Sequence, residues 1–465
     1  MSAATAGRIY TGRDISQDQV LSCDVCVVGS GAGGAVLAHA LVERGLSVVM
    51  LEEGSHLTRR EFDLREDTAY TRMYQDLGNR TTRGGVINIL QGKTLGGSTT
   101  VNWCSSFRTP PAILDLWRDR YGAKGLSADA LGPHFEALEA RLAITEWPEE
   151  RINRNNRILW DGLGALGYGR QLIKRNVRGC ADLGYCGLGC PIDAKQSAAV
   201  AFIPEAVAQG LTVFTNAPAV RLETQGRRVR AVHAQLPRNR LTVRAKATAV
   251  CAGAINSPAL LLRSGLDAGG RVGRRTFLHP TVAMLAVFEE KVNAFYGAPQ
   301  SVASHHFVER GEGRLGFFLE VPPVHPMLAA TLTGGFGAEH QALLGRLAYV
   351  NAVIALSVDG FLPWEEGGTV RLGRGGRVEL DYPLVAGHFE AFREACKTAA
   401  RIQFAAGARR VMSLHATPIS LKSERDLPLL DAAPWEPLRV RVMSAHVMGG
   451  CALGEKADAV VDSAL

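Results

Sequence analysis

The first part of the chain alternates apolar and glycine-rich segments in the pattern of a nucleotide-binding unit. An apolar run ends at Val28, a cluster of glycines follows, and apolar residues then recur at helical spacing as far as Gly45. The next apolar segment, "LSVVMLE", has the length and composition of a buried strand. This pattern predicts an uninterrupted β-α-β unit over residues 23–54.

The rest of the chain divides into two regions that differ in their pattern of apolar and polar residues. Residues 241–265 give a strand, a glycine turn and a helix, which predicts the second half of a nucleotide-binding domain. Residues 126–144 have helical periodicity, whereas residues 55–92 are polar and irregular. From about 281 to 440, apolar segments are separated by longer polar loops without β-α-β alternation, and 385–406 has helical spacing. We therefore predict a mostly antiparallel sheet with helices on one face in this second part.

Composition and charge exclude several classes of protein. The 465 residues are 46% hydrophobic and 21% charged, as in globular proteins with large cores. The net charge is +7, but the arginines are scattered, which argues against a nucleic-acid-binding surface. No apolar run reaches the length of a membrane span, and the first twenty residues lack the apolar core of a secretory signal. The nine cysteines are odd in number, so we expect reduced thiols and a cytoplasmic protein. Peripheral membrane attachment is the alternative location.

The first chemical motif is Gly29-x-Gly31-x-x-Gly34, between the first predicted strand and its helix. Gly29 would make the tight turn, Gly31 would let a pyrophosphate approach the backbone, and Gly34 would let helix and strand pack closely. Glu52 ends the next strand, where a carboxylate accepts hydrogen bonds from ribose hydroxyls. The motif predicts a dinucleotide site but does not separate FAD from NAD.

Four further segments follow in order: "GKTLGGSTTVN", "AGAINSPALLLRSG", "VGRRTFLHP" and "AHVMGGCALG". Together with the glycine motif, they resemble the glucose–methanol–choline (GMC) family of flavin-dependent oxidoreductases over nearly the whole chain. The resemblance implies an α/β protein with a bipartite Rossmann-like FAD-binding domain and an inserted α+β substrate domain. It places the FAD domain at 20–280, the substrate domain at 281–440 and a return to the FAD domain at 441–465.

The resemblance also implies roles for particular residues. Residues Gly96, Gly97 and Ser98 would lie under the flavin and the pyrophosphate, and Asn102 would face the flavin edge. Ala252 and Gly253 would lie close to the FAD ribose and phosphates, and the backbone of Val220 would contact adenine. The alternative for each glycine is a simple turn, and for Asn102 a capping residue.

His446, in "HVMGGC", matches the family's active-site histidine. An imidazole with a pKa near 6.5 can take an alcohol proton at neutral pH. The carbinol carbon can then release hydride to the flavin. The alternative is a buried, hydrogen-bonded histidine. His279 also belongs to a family segment, and we assign it only a structural role.

Two departures from the family pattern affect these expectations. The chain stops at "AVVDSAL", where family members continue through a further strand and helix that supply the second catalytic residue. We therefore expect a chain truncated at its C-terminus. Some members attach FAD covalently through a histidine just before the flavin-facing asparagine. Here that position is Val101, so we expect non-covalent FAD.

The segment "CADLGYCGLGC" places Cys180, Cys186 and Cys190 within eleven residues. Reduced thiols leave a metal site or tight packing beside glycines as its explanation. Three thiolates are one short of a structural zinc site, but they suit an iron–sulfur cluster. The same spacing occurs in sugar dehydrogenases of the family that carry a three-iron, four-sulfur cluster. The resemblance therefore favours a [3Fe-4S] cluster held by these three cysteines, with packing as the alternative.

The resemblance implies an FAD-dependent dehydrogenase or oxidase that converts a small-molecule alcohol, lipid-like or sugar-like, to an aldehyde or ketone. A cluster would further imply an electron-acceptor protein, cytochrome- or quinone-linked, as a partner. Two other functions stay open. One is an inactive flavin- or nucleotide-binding module, and the other is a non-redox relative such as a lyase or photoenzyme.

Overall fold

A computed structural model describes residues 7–463, so the first six residues and the last two of the predicted segment 441–465 lie outside it. Its strands, in chain order, are β1 (Ile9–Thr11), β2 (Gln19–Val28), β3 (Val48–Leu51), β4 (Ile87–Ile89), β5 (Ser105–Ser106), β6 (Ile144–Glu146), β7 (Gln171–Leu172), β8 (Lys174–Asn176), β9 (Thr212–Thr215), β10 (Ala219–Gln225), β11 (Arg228–Gln235), β12 (Arg240–Val250), β13 (Pro280–Val287), β14 (Val302–Ser304), β15 (Phe317–Glu320), β16 (Val350–Ser357), β17 (Thr369–Leu372), β18 (Val378–Asp381), β19 (Arg410–Ser413), β20 (Ser420–Leu421) and β21 (Val442–Ser444).

The helices are α1 (Ala32–Glu43), α2 (Glu66–Met73), α3 (Pro111–Tyr121), α4 (Ala128–Arg141), α5 (Arg154–Ala165), α6 (Ala198–Ala201), α7 (Ile203–Ala208), α8 (Gly253–Arg263), α9 (Pro326–Leu332), α10 (Gly337–Gly345), α11 (Ala386–Ala405) and α12 (Pro428–Asp431). None of the helices in this described part is both long and apolar enough to cross a membrane.

The first sheet has the strand order β1-β9-β3-β2-β12-β11-β10. Its first five strands are parallel, and β11 and β10 are added as antiparallel neighbours. All four residues of β3 are buried because separate apolar cores cover the two faces of the sheet. The predicted β-α-β unit is therefore confirmed as β2, α1 and β3.

The second sheet is antiparallel along β20-β19-β13-β16-β15-β14-β7. The long helix α11 packs on one face together with α5, and the expected helix at 385–406 is confirmed. Not every predicted strand joins this sheet, because β17 and β18 form a separate hairpin. Strands β4 and β7, from the first half of the chain, do join it. The domain bounds at 20–280, 281–440 and 441–465 stay predictions.

The α/β fold class is confirmed by these two sheets. A large cavity extends from the turns after β2 and β12 to the face of the second sheet opposite α11. Strand β21 lies beside β13 and carries the chain back toward this cavity.

Candidate active site

One continuous cavity of about 1090 Å³ contains most of the predicted site residues. This volume slightly exceeds the usual range for a site that holds one small molecule. Ten predicted residues line it, namely Gly29, Gly31, Glu52, Gly97, Ser98, Asn102, Val220, Ala252, Gly253 and His446. The two remaining predicted residues outside the cysteine segment are Gly34 and Gly96, which lie behind the lining loops.

The glycine motif separates into packing and open positions. A Cβ on Gly34 would collide with the carbonyl oxygen of Gly29, and one on Gly29 would collide with the backbone of Cys251. By contrast, a Cβ on Gly31 or Gly33 would meet no atom within 4 Å. The first pair therefore closes the helix onto the sheet, and the second pair leaves an open cradle at the N-terminus of α1.

Glu52 is buried beside this cradle, with 6% of its surface exposed. Its Oε2 accepts hydrogen bonds from the backbone N–H and the hydroxyl of Ser30, at 3.0 and 2.6 Å, and its Oε1 accepts one from Gly54 N–H at 2.7 Å. Burial raises the pKa of this carboxyl, and the bonds from Ser30 and Gly54 oppose the rise. The Ser30 hydroxyl also accepts a hydrogen bond from Gly96 N–H, so Glu52 connects the two glycine-rich loops.

The loop over Gly96–Asn102 lies against the cradle. Gly96 has a left-handed φ of 86°, and a Cβ on Gly97 would lie 2.9 Å from the Cα of Gly31. Ser98 Oγ accepts a hydrogen bond from Gly92 N–H, which closes the loop. The close approach of Gly97 to Gly31 leaves no room for a side chain between the two loops.

A buried lysine, which the sequence reasoning did not single out, holds the end of this loop. Lys195 Nζ donates to the carbonyl oxygens of Thr100, Asn102 and Cys186 at 2.9, 2.6 and 3.0 Å. The side chain of Asn102 lies at the cavity surface. Lys195 therefore positions the Asn102 backbone and joins the loop to the cysteine segment.

His446 lies at the opposite end of the cavity and pairs with a second histidine. Its Nδ1 is 2.8 Å from the Nδ1 of His279, and the two rings meet edge to face with centroids 5.0 Å apart. The His446 side chain is open to the cavity but enclosed by protein on its other sides. His279 was assigned only a structural role, and that role stays a prediction; the structure adds that its ring contacts His446 directly.

Asp359 fixes the backbone of His279. Its carboxylate accepts hydrogen bonds from the N–H groups of Leu278 and His279 and from the hydroxyl of Tyr382, at 3.1, 3.0 and 2.6 Å. These bonds hold His279 at a left-handed φ of 44°, which is uncommon for a residue with a side chain. Burial raises the pKa of Asp359, although the three hydrogen bonds lower it in part.

The environment of the two histidines determines their protonation. The pKa of each is lowered to about 4, chiefly by burial, and the nearness of His279 contributes to the low pKa of His446. Both rings are therefore neutral at neutral pH, and one Nδ1–H donates to the other ring. The Asp359 carboxylate lies 3.9 Å from His279 Nε2 and favours a proton on that nitrogen. His446 Nδ1 is then the donor, and His446 Nε2 has a free lone pair.

The second sheet forms the remaining wall of the cavity. Alternate residues of β13 and β16 face it, whereas their neighbours pack against α11. Six of these cavity-facing residues are Thr281, Ala283, Leu285, Ala352, Ile354 and Leu356. This wall is therefore almost entirely apolar.

The cysteine segment lies outside the cavity, behind Asn102 and Lys195. Within the part of the chain that the structure describes, the sulfurs of Cys180, Cys186 and Cys190 do not all lie within 4.8 Å of one another. Ligands of one zinc ion would lie that close, so the structure gives no support to a zinc site. Thiolates that bind different irons of a cluster are further apart, and the prediction of these three residues as cluster ligands stays untested.

Cys186 has the most polar surroundings of the three. Arg175 Nη2 lies 3.6 Å from its sulfur. The thiol of Cys104, a residue not predicted for this site, acts on Cys186 as a hydrogen-bond donor and is the largest cause lowering the Cys186 pKa, followed by the charges of Arg175 and Lys195. Burial raises the pKa of Cys180 instead.

Sequence reasoning did not single out Lys195, and it named His279 without its contact to His446. Lys195 lies five residues after Cys190, where a lysine among turn residues is indistinguishable from a surface residue. His279 precedes a proline in "TFLHP", and its distance of 167 residues from His446 gives no local signal. The resemblance of the "VGRRTFLHP" segment drew attention to His279 but did not connect it with His446.

Two family models match the first part of the chain, which contains the glycine motif and most of the first sheet. Residues 70–281 match a family model described as GMC oxidoreductase. Residues 27–76 match one described as an NAD(P)-binding Rossmann-like domain, which covers the glycine motif and Glu52. The two matches together span residues 27–281, which include the glycine motif and the strands of the first sheet from the end of β2 to β12.

Curated relatives extend the similarity into the second part. An uncharacterised GMC-type oxidoreductase of Mycobacterium tuberculosis is 34% identical over 85% of this chain and 62% of its own length. A long-chain-alcohol oxidase of Arabidopsis thaliana is 29% identical over 93% of this chain and 60% of its own length. The chain thus spans about three fifths of the length of these relatives.

A solved structure supports the fold. The crystal structure of pyridoxine 4-oxidase from Mesorbium loti superposes with a TM-score of 0.71 at 21% identity, covering 95% of this chain and 91% of that one. At this identity the likeness concerns the fold alone. The family matches, the named relatives and the two-sheet fold with its glycine-lined cavity together establish that the chain belongs to the GMC oxidoreductase family.

Proposed function

We propose that this chain belongs to an FAD-dependent oxidoreductase that acts on the CH–OH group of an alcohol. The carrying observation is the single cavity that joins the glycine cradle and Glu52 at one end to His446 at the other. A dinucleotide needs the first end, and an alcohol that is to lose a proton needs the second. The names of the relatives, which include alcohol oxidases, agree with this reaction class.

The residues present fit FAD. The cradle at Gly31 and Gly33 is open at the N-terminus of α1, where a helix stabilises phosphate. Glu52 and Val220 line the part of the cavity expected to hold ribose and adenine, and Asn102 lines the part expected to hold the flavin. Val101 is buried and has no atom for covalent attachment, so we propose that FAD is held non-covalently.

FAD, when bound, supplies a two-electron acceptor for hydride. The chain itself supplies the base. His446 Nε2 is unprotonated above a pH of about 4, because burial lowers the pKa of the ring. It can therefore accept the hydroxyl proton of the alcohol at neutral pH. The resulting imidazolium donates from Nδ1 to His279, which holds the ring in one orientation through the 2.8 Å contact.

The apolar wall formed by β13 and β16 points to the kind of substrate. Side chains such as Ala283, Leu285 and Ile354 offer contact area to hydrocarbon and no hydrogen bonds to a sugar. We therefore propose a lipid-like rather than a sugar-like alcohol. Conversion of this alcohol to an aldehyde or ketone completes the reaction.

A visible spectrum of the purified protein, followed by anaerobic addition of alcohols, tests the proposal. We expect flavin absorption that bleaches with long-chain primary alcohols, and flavin that is released when the protein is denatured by acid. Flavin that stays on the denatured chain would contradict non-covalent binding. A flavin spectrum that no alcohol changes would favour an inactive module or a non-redox relative, and absence of flavin would overturn the cofactor.

A second proposal concerns Cys180, Cys186 and Cys190, which we propose hold a [3Fe-4S] cluster. The observation that favours it is the pair of buried cations beside Cys186. Arg175 lies 3.6 Å from its sulfur, and Lys195 bonds its carbonyl oxygen. Such charges would compensate the negative charge of thiolate ligands. An electron-acceptor protein would then be the partner.

Anaerobic purification with iron and sulfide analysis tests the cluster. We expect both elements, and an electron paramagnetic resonance signal in the oxidised protein, to disappear in Cys186→Ser. They should persist in Cys23→Ser, a half-buried cysteine of β2 that lies outside the segment. Iron-free wild-type protein would leave the three cysteines as packing residues.

A further inference from the structure

The apolar wall of the cavity contains one acidic side chain that the proposed reaction does not use. Glu320 ends β15, lines the cavity and is 2% exposed. Ile354, its neighbour in register on β16, and Ala283, the next residue across the sheet, are apolar. A carboxyl group in such surroundings requires a hydrogen-bonding partner.

In the described part of the chain, one of the two carboxyl oxygens of Glu320 has a hydrogen bond from another side chain. Its Oε2 accepts a hydrogen bond from the side-chain amide of Gln300 at 2.7 Å. Within the described part of the chain, this bond to Oε2 is the one hydrogen bond that the Glu320 carboxyl makes with a protein side chain, which leaves Oε1 for a ligand. Burial raises the pKa of Glu320 to about 8, against the opposing charge of Arg175. At neutral pH the group is therefore mostly an uncharged acid that can donate one hydrogen bond and accept others.

Gln300 is itself held in place by several contacts. Its backbone has a left-handed φ of 46°, its N–H donates to Val321, and its carbonyl oxygen accepts from Arg175 at 3.1 Å. Its side-chain oxygen accepts from the hydroxyl of Ser105 at 3.3 Å. The Gln300 amide is thus oriented toward Glu320 before any ligand binds, which is the property of a built subsite.

The strand register gives the position of this subsite relative to His446. Phe318 lies in the same row as Leu356 and Thr281, and its ring contacts His279 edge to face at 6.2 Å. Glu320 is two residues further along the same strand face, about 7 Å beyond Phe318. The subsite therefore lies on the wall formed by the second sheet. It belongs to the row of Glu320, Ile354 and Ala283, which is next to the row that contains Phe318 and is further from the histidine pair.

We propose that Glu320, oriented by Gln300, binds a second hydroxyl group of an otherwise apolar alcohol whose first hydroxyl lies at His446. This inference rests on the proposed function and adds a polar requirement to its substrate. An uncharged acid matches a hydroxyl group, which also donates and accepts. A substrate ammonium group is the less suitable ligand, because the positive charge of buried Arg175 already acts on this carboxyl.

A matched substrate series tests the proposal on the flavin-loaded enzyme. The probes are primary monoalcohols and α,ω-diols of equal chain length, from butanol and butanediol to dodecanol and dodecanediol. We expect kcat/KM for the diol to exceed that for the monoalcohol by about tenfold at the length that spans the two sites, and not at shorter lengths. Equal values at every length would overturn the proposal.

Two variants of Glu320 and one control sharpen the measurement. Glu320→Leu should remove the diol preference, whereas Glu320→Gln, which keeps a donor and an acceptor, should retain most of it. Leu285→Met changes the same wall without a polar group and should alter both substrate types equally. A diol preference that survives in Glu320→Leu would refute the assignment.

Binding measurements separate this inference from the proposed reaction. Calorimetric titration of flavin-loaded His446→Ala with a diol and a monoalcohol should show the same preference without turnover. Failure of the wild-type enzyme to oxidise any alcohol would contradict the proposed function, while a calorimetric diol preference would still support the subsite. Stronger binding of an ω-amino alcohol than of the diol would replace the hydroxyl ligand by a cation and so overturn the proposal.

Discussion

The two ends of the cavity are built in different ways. At the cradle end, the lining consists largely of backbone and of glycines whose missing side chains leave space, as at Gly31 and Gly97. At the histidine end, the polar groups are the side chains of His446 and His279, and the buried carboxylate of Asp359 holds the His279 backbone. The shape of the first end thus depends on glycines that lack a side chain, whereas the second end depends on the chemical groups of its side chains.

This difference predicts different responses to mutation. A backbone cradle tolerates no added volume but has few chemical groups to lose, so its variants should fail by steric exclusion or by unfolding. A side-chain site tolerates conservative changes of volume but loses chemistry when one atom is removed. The variants that follow test this contrast, from the largest expected effect to the smallest.

His446→Ala should lower kcat/KM by about 10²–10⁴, the usual contribution of a general base. FAD occupancy should not change, because the dinucleotide contacts lie at the other end of the cavity. The control is His134→Ala, an exposed histidine of α4 that should behave like the wild type. Steady-state kinetics and the flavin content measure both effects, and near-normal turnover in His446→Ala would sink the role of this residue.

Gly34→Ala should destabilise the fold, because the new Cβ collides with the carbonyl oxygen of Gly29. Overpacking of this kind costs about 1–3 kcal/mol, measurable as a lower midpoint in denaturant unfolding. Gly132→Ala, on α4 with open space around it, should leave the midpoint unchanged or raise it slightly. An unchanged midpoint in Gly34→Ala would show that helix and strand can separate there without cost.

Gly31→Ala should weaken FAD binding without a loss of stability, in contrast to Gly34→Ala. Its φ of −65° suits alanine and no atom lies within 4 Å of the new Cβ, so the unfolding midpoint should stay at the wild-type value. The methyl group would occupy the cradle, and we expect the Kd for FAD to rise about tenfold or more. Flavin fluorescence titration of the apoprotein measures it. Unaltered FAD affinity would mean that the cradle does not hold the pyrophosphate.

His279→Asn should lower kcat/KM several-fold, and it should also move the acid side of the pH profile to higher pH. The nearness of His279 is one cause that lowers the pKa of His446, so its removal raises that pKa. The base form of His446 is then lost at a higher pH as the solution is acidified. A reduced rate with an unmoved pH profile would assign His279 a structural role alone.

The turn and the close packing of the glycine motif could be predicted from the sequence because their signal is local, while the binding role of these residues stays a prediction. The spacing of Gly29, Gly31 and Gly34 between two apolar runs follows from chain geometry within about thirty residues, and each glycine has the predicted kind of environment. Glu52 is also at the cradle. Its carboxylate oxygens already accept hydrogen bonds from Ser30 and Gly54, which leaves less of their capacity for a ligand.

The histidine end could be predicted only in part. His446 was identified from a resemblance, but its contact with His279 and the support from Asp359 join residues from three distant segments. No periodicity indicates which polar side chains of an apolar strand face a cavity, so Glu320 gave no signal either. The hairpin of β17 and β18 was assigned to the main sheet because alternation predicts a strand but not its partner.

The pairing of β21 with β4 has a consequence for the order of assembly during synthesis. Ser444, two residues before His446, lies in register with Ile89, which belongs to the first fifth of the chain. The first sheet needs no residue after β12, and it can close while the ribosome is still producing the rest. The cradle can therefore be complete long before His446 is synthesised, so under the proposed function a nascent chain would acquire cofactor affinity first and catalytic competence last.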